Sequence, residues 1–409
     1  MQRTNAQGLL FSPSCSRKDR YKNQLDLLPE EDELLRTCRE DVKAAIREGF
    51  DAIRKAYASG VVEFRINGRA VALEVDIMRQ LSRVSPRFKV QGSYAYKTMN
   101  RPAQPPQQMD LDMGVYFPMS IVQNEPEIAN NLIFEAVDGI LKHLAKVKGW
   151  VFDGSKDTCS RLVVNRLVHI DVPMYAIPGD KVPALDEAHS AFAMAELKAK
   201  ETIELDPNEV YLALRNQEQW VQSDPMKVRN WFEGACIAYK SQGDLRRVSR
   251  FLKGWRDQQW AEGGPSSITL MACAANTFAA YIKAGKPKFD SDCAALLAIA
   301  RHLPTQLEAG VKNPSDPEEP NLFPRGKMSA DEKQAIVQKA RTFKATMEAA
   351  LTQPRSPEEV VQLFTTSFGQ RIPQRPELIV IGLNPIQQVK ATPAIIQDEP
   401  APQDTMRAG

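Results

Sequence analysis

The stretch that decides the fold is QMDLDMGVY, residues 108–116. Its apolar residues alternate with their neighbours, and a period of two is typical of a β-strand with one buried face. Met109, Leu111 and Met113 fall on that face. We therefore expect a strand that carries Asp110 and Asp112 together on its other face.

Two carboxylates at this spacing lie a few ångströms apart, and their repulsion is unfavourable unless a cation lies between them. Oxygen ligands favour Mg²⁺, with Mn²⁺ as the alternative, over Zn²⁺. Two such ions can hold both the attacking and the leaving oxygen of a phosphoryl displacement. A solvated edge strand explains Asp110 and Asp112 alone equally well, so the neighbouring segments decide.

Two further segments favour the metal site. Gly92 and Ser93 follow a predicted strand, where a glycine lets the backbone approach a triphosphate and a serine can hold its phosphates. Asp171 lies on a strand predicted from Arg161 to Pro173 and is placed to orient or deprotonate an attacking sugar hydroxyl. His169 shares its face, although strand packing explains that histidine equally well. The ordered set is typical of polymerase-β-like nucleotidyltransferases.

The rest of the chain predicts an α+β fold, in which a nucleotidyltransferase palm with a long N-terminal helix packs against an all-α C-terminal lobe. The active site is expected in the cleft between them. Apolar residues at helical spacing predict the long helix from Pro29 to about Tyr57. The predicted units are a variable N-terminal segment (1–28), the nucleotidyltransferase core (29–207), the helical lobe (208–384) and a flexible tail (385–409).

Composition excludes several classes of protein. The net charge of +2 is the difference between 53 basic and 51 acidic residues, which argues against bulk attraction to a nucleic-acid template or a membrane. The six cysteines form no C-x-x-C pair, so neither a disulfide framework nor a zinc site is indicated. No stretch approaches the roughly 20 apolar residues of a membrane span. We expect a cytoplasmic protein without membrane insertion.

Whole segments resemble the cGAS/DncV-like nucleotidyltransferases, which make cyclic nucleotide signals in bacterial anti-phage defence. The resemblance covers roughly residues 30 to 385. The segments that carry it are QGSYAYKTMNRP (91–102), QMDLD (108–112), HIDVPMYAIP (169–178), WRD (255–257) and GGPSS (263–267).

The resemblance implies a role for each of a set of residues. It implies metal binding and hydroxyl activation for Asp110, Asp112 and Asp171, contact with phosphate or nucleotide for Gln91, Gly92 and Ser93, nucleotide pockets lined by Tyr96 and Arg161, and a triphosphate held by Lys253, Ser266 and Ser267. Lys253 also suits a phosphate by itself, because its predicted helix is apolar on the other face.

The sequence departs from the family pattern at two places. Glu318 stands where the pattern has an aspartate implicated in base recognition, which leaves the base preference open. Lys89 stands where it has a tryptophan beside a folate pocket, so control by a folate-like regulator is an expectation only. The terminal Gly409 resembles a glycine that a ubiquitin-like ligation enzyme joins to targets, although a disordered end can also stop at glycine.

The function implied by the resemblance is synthesis of 3′,3′-cyclic GMP-AMP from ATP and GTP by two sequential transfers. Another cyclic di- or trinucleotide product is one alternative. A templateless polymerase of the poly(A) or oligoadenylate type uses the same acids and makes linear products. A nucleotide-sensing or scaffold protein with vestigial acids is a rival from a different class.

Overall fold

The structure is a computed structural model that describes residues 4–13, 20–60, 64–66, 69–71, 79, 81–118, 126–178, 209–215, 217, 220–223, 225–316 and 320–382. The strands are β1 Thr4–Asn5, β2 Phe64–Ile66, β3 Arg69–Val71, β4 Arg87–Val90, β5 Met109–Pro118, β6 Val151–Asp153, β7 Ser160–Asn165, β8 Val168–Val172, β9 Met174–Ile177, β10 Tyr211–Leu212, β11 Val221–Gln222 and β12 Val380–Ile381. The helices are α1 Gln7–Leu10, α2 Tyr21–Leu25, α3 Pro29–Ala58, α4 Gly92–Ala95, α5 Pro126–Lys148, α6 Pro225–Ala238, α7 Leu245–Gln259, α8 Ser267–Lys283, α9 Asp292–Ala309, α10 Ala330–Thr352 and α11 Pro357–Phe368. Among these helices, none has the length and apolar character needed to cross a bilayer.

The predicted strand over 108–116 is β5, and it lies inside the palm sheet. The strand order is β11-β10-β9-β5-β8-β7-β6, and β4 also pairs with β5. The first half of β5 runs parallel to β8 and its second half runs parallel to β9. Met109 and Leu111 are buried, whereas Asp110 and Asp112 are partly exposed, which confirms the predicted alternation.

The apolar face of this sheet packs against α3 and α5 in one core. Helix α3 begins at Pro29, as predicted, since proline lacks only an amide that the first helical turn leaves unbonded. Gly49 allows α5 to approach closely, because a Cβ atom there would lie 2.3 Å from Ile140 Cδ1. The other face of the sheet is left to carry the carboxylates.

The helical lobe is built from α6 to α11, and it also takes up the start of the described chain. Leu9, Leu10, Tyr21 and Leu25 are fully buried in its core. Strand β1 pairs with β12, so residues near the two ends of the described chain meet in a two-stranded sheet. The sequence analysis set residues 1–28 apart from both lobes and did not anticipate this packing.

One predicted element is divided in the structure. The single strand predicted from Arg161 to Pro173 is wrong: the chain turns after Asn165, whose Oδ1 accepts the amide of Leu167 at 2.7 Å, and β7 and β8 pair antiparallel. The predicted boundary at 207/208 and the tail 385–409 lie outside the described residues.

Replacement of Gly49 by alanine tests the approach of α3 to α5. Alanine normally stabilises a helix interior by about 1 kcal/mol relative to glycine. At Gly49 the new methyl group collides with Ile140, so we expect Gly49→Ala to lower the free energy of unfolding by about 1 to 3 kcal/mol in denaturant titrations.

The matched control is Gly234→Ala on α6, where a Cβ atom meets nothing within 4 Å. This control should be neutral or stabilised. Equal effects of the two substitutions would contradict the packing of α3 on α5.

Candidate active site

The loop between α4 and β5 joins the palm to helix α7 through hydrogen bonds. Lys253 Nζ donates to the Thr98 carbonyl at 2.6 Å. Asn100 Nδ2 donates to the Arg250 carbonyl at 2.9 Å, and Arg250 Nε donates back to Asn100 Oδ1 at 2.9 Å. Gln107 Nε2 donates to the Asp257 carbonyl at 2.7 Å. The loop therefore fixes the distance between the two lobes.

A cavity of about 650 Å³ lies between the lobes beside this loop. Both lobes contribute polar side chains to its wall. From the palm these are Ser93, Tyr96, Asp110, Asp112 and His169, and from the helical lobe Lys253, Arg256, Ser266, Ser267 and Arg325. The expected cleft with facing carboxylates and basic groups is present.

The three predicted carboxylates meet through the register of β5 and β8. Asp110 lies opposite His169, and Asp112 lies opposite Asp171. Burial raises the pKa of Asp112 well above its usual value, and the charges of Asp110 and Asp171 raise it further. The structure thus brings the three carboxylates together on paired strands, and Asp110 and Asp112 line the cavity.

Asp171 is compensated by two cations from the palm. Arg161 donates through Nε to Oδ1 at 2.6 Å and through a terminal nitrogen to Oδ2 at 2.7 Å, and Lys156 Nζ donates to Oδ2 at 2.9 Å. Burial alone would raise the pKa of Asp171, but these hydrogen bonds outweigh it and hold the pKa below its usual value. Asp171 is therefore an ionised carboxylate.

Asp110 lacks such compensation. Its Oδ1 lies 2.9 Å from His169 Nε2, and neither atom has a hydrogen-bond partner. Asp110, His169 and Asp171 each offer one ligand atom, and these three atoms lie within 4.8 Å of one another. Asp110 thus has a carboxylate oxygen without a hydrogen-bond partner, Asp171 is ionised, and Asp112 is repelled by both. A divalent cation stabilises such a group of oxygen ligands, so these residues fit a metal ion.

Gly92 fits against one of the carboxylates. Its φ is +63°, and a Cβ atom there would lie 1.8 Å from Asp112 Oδ2. Any other residue would both strain the backbone and displace that side chain. The glycine expected near the phosphates thus also shapes the carboxylate cluster, and the adjacent Ser93 lines the cavity.

The helical lobe supplies the opposite wall. Burial lowers the pKa of Lys253 to about 7, although the charge of Asp257 acts against that shift. Ser266 is the N-cap of α8, and its hydroxyl accepts the amide of Thr269 at 3.2 Å. Ser267 begins that helix and lines the cavity. The predicted triphosphate positions therefore face the carboxylates across the cleft.

Three predicted residues are not among those that line this cavity: Gln91, Arg161 and Asp171. The side chain of Gln91 is buried, donating to the Tyr116 hydroxyl at 2.6 Å and accepting from the Tyr175 hydroxyl at 3.2 Å. These bonds use one donor and one acceptor position of the amide, and its expected contact with nucleotide stays a prediction. Arg161 forms a salt bridge with Asp171. Glu318 and Gly409 lie outside the described residues.

Sequence reasoning missed Lys156 and left His169 open. Lys156 lies in the turn between β6 and β7, where no periodicity marks it. Arg215 fixes the backbone of this turn, since its Nε donates to the Lys156 carbonyl at 3.2 Å. Arg215 is itself paired with the buried Asp138. The sequence does place His169 on the same strand face as Asp171, which marks it as a candidate site residue. The spacing alone cannot distinguish a histidine that packs in the sheet from one that binds a metal.

Known families match both lobes. Residues 86–175 match the family described as Cyclic GMP-AMP synthase DncV-like, nucleotidyltransferase domain, and residues 242–381 match Cyclic GMP-AMP synthase, C-terminal domain. A cyclic GMP-AMP synthase of Vibrio cholerae serotype O1 is 33% identical over 423 residues, covering 94% of this chain and 93% of that relative. The chain belongs to the DncV-like cyclic GMP-AMP synthase family. It is therefore a nucleotidyltransferase.

Other members of the DncV-like family agree with this assignment. A cyclic GMP-AMP synthase of Escherichia coli is 40% identical over 302 residues, covering 70% of this chain and 68% of that relative. Vibrio cholerae DncV solved as a mutant with ATP, GTP and 5MTHFGLU2 has a TM-score of 0.78 at 31% identity, covering 93% of this chain and all of that one. DncV with the linear intermediate 5′ pppA(3′,5′)pG has a TM-score of 0.74 at 30% identity.

The repulsion around Asp112 predicts a gain in stability when its charge is removed. In metal-free protein at neutral pH, Asp112→Asn should raise the free energy of unfolding, because burial and the charges of Asp110 and Asp171 disfavour the ionised form of this carboxyl and raise its pKa. Mg²⁺ or Mn²⁺ should then raise the melting temperature of the wild type more than that of the variant, as followed by calorimetry.

The control is Asp290→Asn, which neutralises an exposed aspartate in the helical lobe. It should leave both the stability and its response to metal unchanged. A wild type that gains no more from metal than Asp112→Asn would contradict a cation site at this carboxylate.

Proposed function

We propose that this chain is a metal-dependent dinucleotide cyclase that joins ATP and GTP into 3′,3′-cyclic GMP-AMP. The observation that carries the proposal is that Asp110, Asp112 and Asp171 lie together on paired strands, and that Asp110 and Asp112 line a cavity to which the helical lobe contributes basic side chains. Its support from relatives is that DncV structures contain ATP with GTP, and a linear intermediate.

The carboxylate cluster would hold two Mg²⁺ ions, with Mn²⁺ as the alternative, through Asp110, Asp112 and Asp171. When bound, the ions neutralise phosphate charge and lower the pKa of the attacking hydroxyl. Asp171 is kept ionised by Arg161 and Lys156, so it can help to hold an ion that would orient that hydroxyl. The 3′ hydroxyl attacks the α-phosphate, and the bond to pyrophosphate breaks.

The helical lobe holds the triphosphate during this step. Lys253 and Ser267 lie across the cavity from the carboxylates, and a cationic ammonium group stabilises phosphate oxygens in a site with little water. A phosphate near Lys253 favours its charged form against the burial that lowers its pKa. The second transfer repeats the same displacement after the linear dinucleotide turns in the cleft, which closes the ring.

Four further parts of the proposal come from the family resemblance. They are base recognition by Glu318, control by a folate-like regulator, joining of Gly409 to targets by a ubiquitin-like ligation enzyme, and a cytoplasmic role in anti-phage defence. A folate-type ligand is named in the DncV structure with ATP and GTP. Each stays a prediction for this chain.

Product analysis tests the proposed function. The purified full chain is incubated with the four ribonucleoside triphosphates and Mg²⁺, treated with phosphatase and analysed by mass spectrometry. We expect a phosphatase-resistant dinucleotide of one adenosine and one guanosine monophosphate. A ladder of linear oligomers would instead establish the templateless polymerase, and another cyclic mass would refute the base choice.

The same assay with Asp110→Asn should lose product by about 10³-fold or more, because the variant removes a charge on which transition-state stabilisation depends. Asp290→Asn is the matched control and should retain full turnover. Turnover by Asp110→Asn at the wild-type rate would refute the assigned carboxylates.

A further inference from the structure

His169 sits in a pair of contacts that fixes which ring nitrogen carries the proton. Its Nδ1 lies 3.0 Å from Gln108 Oε1. The amide nitrogen of Gln108 donates to the Asn165 carbonyl at 3.0 Å, which turns the amide oxygen toward the ring. Because that oxygen only accepts, Nδ1 is the donor in this hydrogen bond, which leaves Nε2 to face the carboxylates.

Nε2 of the same ring faces a carboxylate. It lies 2.9 Å from Asp110 Oδ1, a contact that is an ion pair when the ring is protonated, and neither atom has another hydrogen-bond partner. The side chain of His169 is 9% exposed and that of Asp110 is 42% exposed. A ring nitrogen and a carboxylate oxygen at this distance are held together by a shared cation, either a proton or a metal ion.

We propose that His169 Nε2 is a direct ligand of the metal ion held by Asp110 and Asp171, an inference that rests on the metal-dependent function proposed above. Two neighbouring ligands at about 2.1 Å from an octahedral ion are about 3.0 Å apart. The 2.9 Å between Nε2 and Asp110 Oδ1 matches that spacing.

Asp171 can complete the same group. A carboxylate offers about four lone-pair positions. Arg161 and Lys156 use three of them in this structure, which leaves one for a cation. The ligand atoms of Asp110, His169 and Asp171 lie within 4.8 Å of one another, so small side-chain shifts bring all three to one ion.

A nitrogen ligand changes which ion the site prefers. Imidazole favours transition metals over Mg²⁺, whereas carboxylates alone suit Mg²⁺. The aspartates alone offer only oxygen ligands, and the proposed role of His169 adds a nitrogen ligand to them. The site should therefore bind Mn²⁺ more tightly, relative to Mg²⁺, than a site made of the aspartates alone.

The test is pulsed electron paramagnetic resonance of Mn²⁺ bound to the full chain without nucleotide. We expect a ¹⁴N coupling from a directly bound imidazole, replaced by the ¹⁵N pattern when the protein is labelled with ¹⁵N-histidine. His169→Asn retains a donor toward Gln108 and removes Nε2. It should lose the coupling and raise the Kd for Mn²⁺ on the order of 10-fold or more.

Two further variants serve as controls for the nature of the ligand and for the loss of a histidine. His169→Gln places an amide oxygen near the position of Nε2, so it should bind metal without nitrogen coupling and with a smaller preference for Mn²⁺ over Mg²⁺. His302→Gln removes an exposed histidine of the helical lobe and should behave as the wild type.

The outcomes separate this inference from the proposed function. Wild-type protein that binds Mn²⁺ without nitrogen coupling, or His169→Asn that binds it equally well, overturns the ligand role and leaves the metal-dependent function standing. Wild-type protein that binds neither Mn²⁺ nor Mg²⁺ overturns both.

Discussion

The parallel register of β5 and β8 is the constraint on which the site depends. It sets Asp110 opposite His169 and Asp112 opposite Asp171, groups that repel or leave each other unsatisfied. A slip of one residue would turn both β5 carboxylates to the other face. The register is held because Met109 and Leu111 are buried against α3 and α5. Apolar packing of the palm thus stabilises a charge arrangement that electrostatics alone would disperse.

The second requirement is a fixed distance across the cleft. The loop before β5 carries Thr98, Asn100 and Gln107. It forms hydrogen bonds to α7 through side chains and carbonyl groups. The same loop follows α4, which begins at Gly92, and it ends at the strand that carries the carboxylates. One stretch of backbone therefore sets both the carboxylates and their separation from the phosphate wall, so the two walls of the cavity cannot move independently without breaking several buried hydrogen bonds.

The sequence predicts the parts of this molecule that repeat with a period. The alternation in β5 predicted which of its faces is buried, and helical spacing predicted α3. The order of the acidic residues predicted the site. Contacts between distant segments have no such signal. For that reason the sequence did not predict that Leu10 and Tyr21 are buried in the helical lobe, that Lys156 forms a salt bridge with Asp171, or that the Gln91 amide is buried against Tyr116. The turn at Asn165 was missed because Leu167 and Val168 come two and three residues later and continue the apolar pattern.

The pairing of β1 with β12 bears on how the chain folds during synthesis. The core of the helical lobe contains Leu9 and Leu10 from one end of the described chain and Ile379 from the other. The palm can pack its sheet on α3 while the polypeptide is still emerging from the ribosome, but the helical lobe cannot close until Val380 and Ile381 have been made. In the interval its apolar helices are exposed, and that is when a nascent chain of this kind most needs a chaperone.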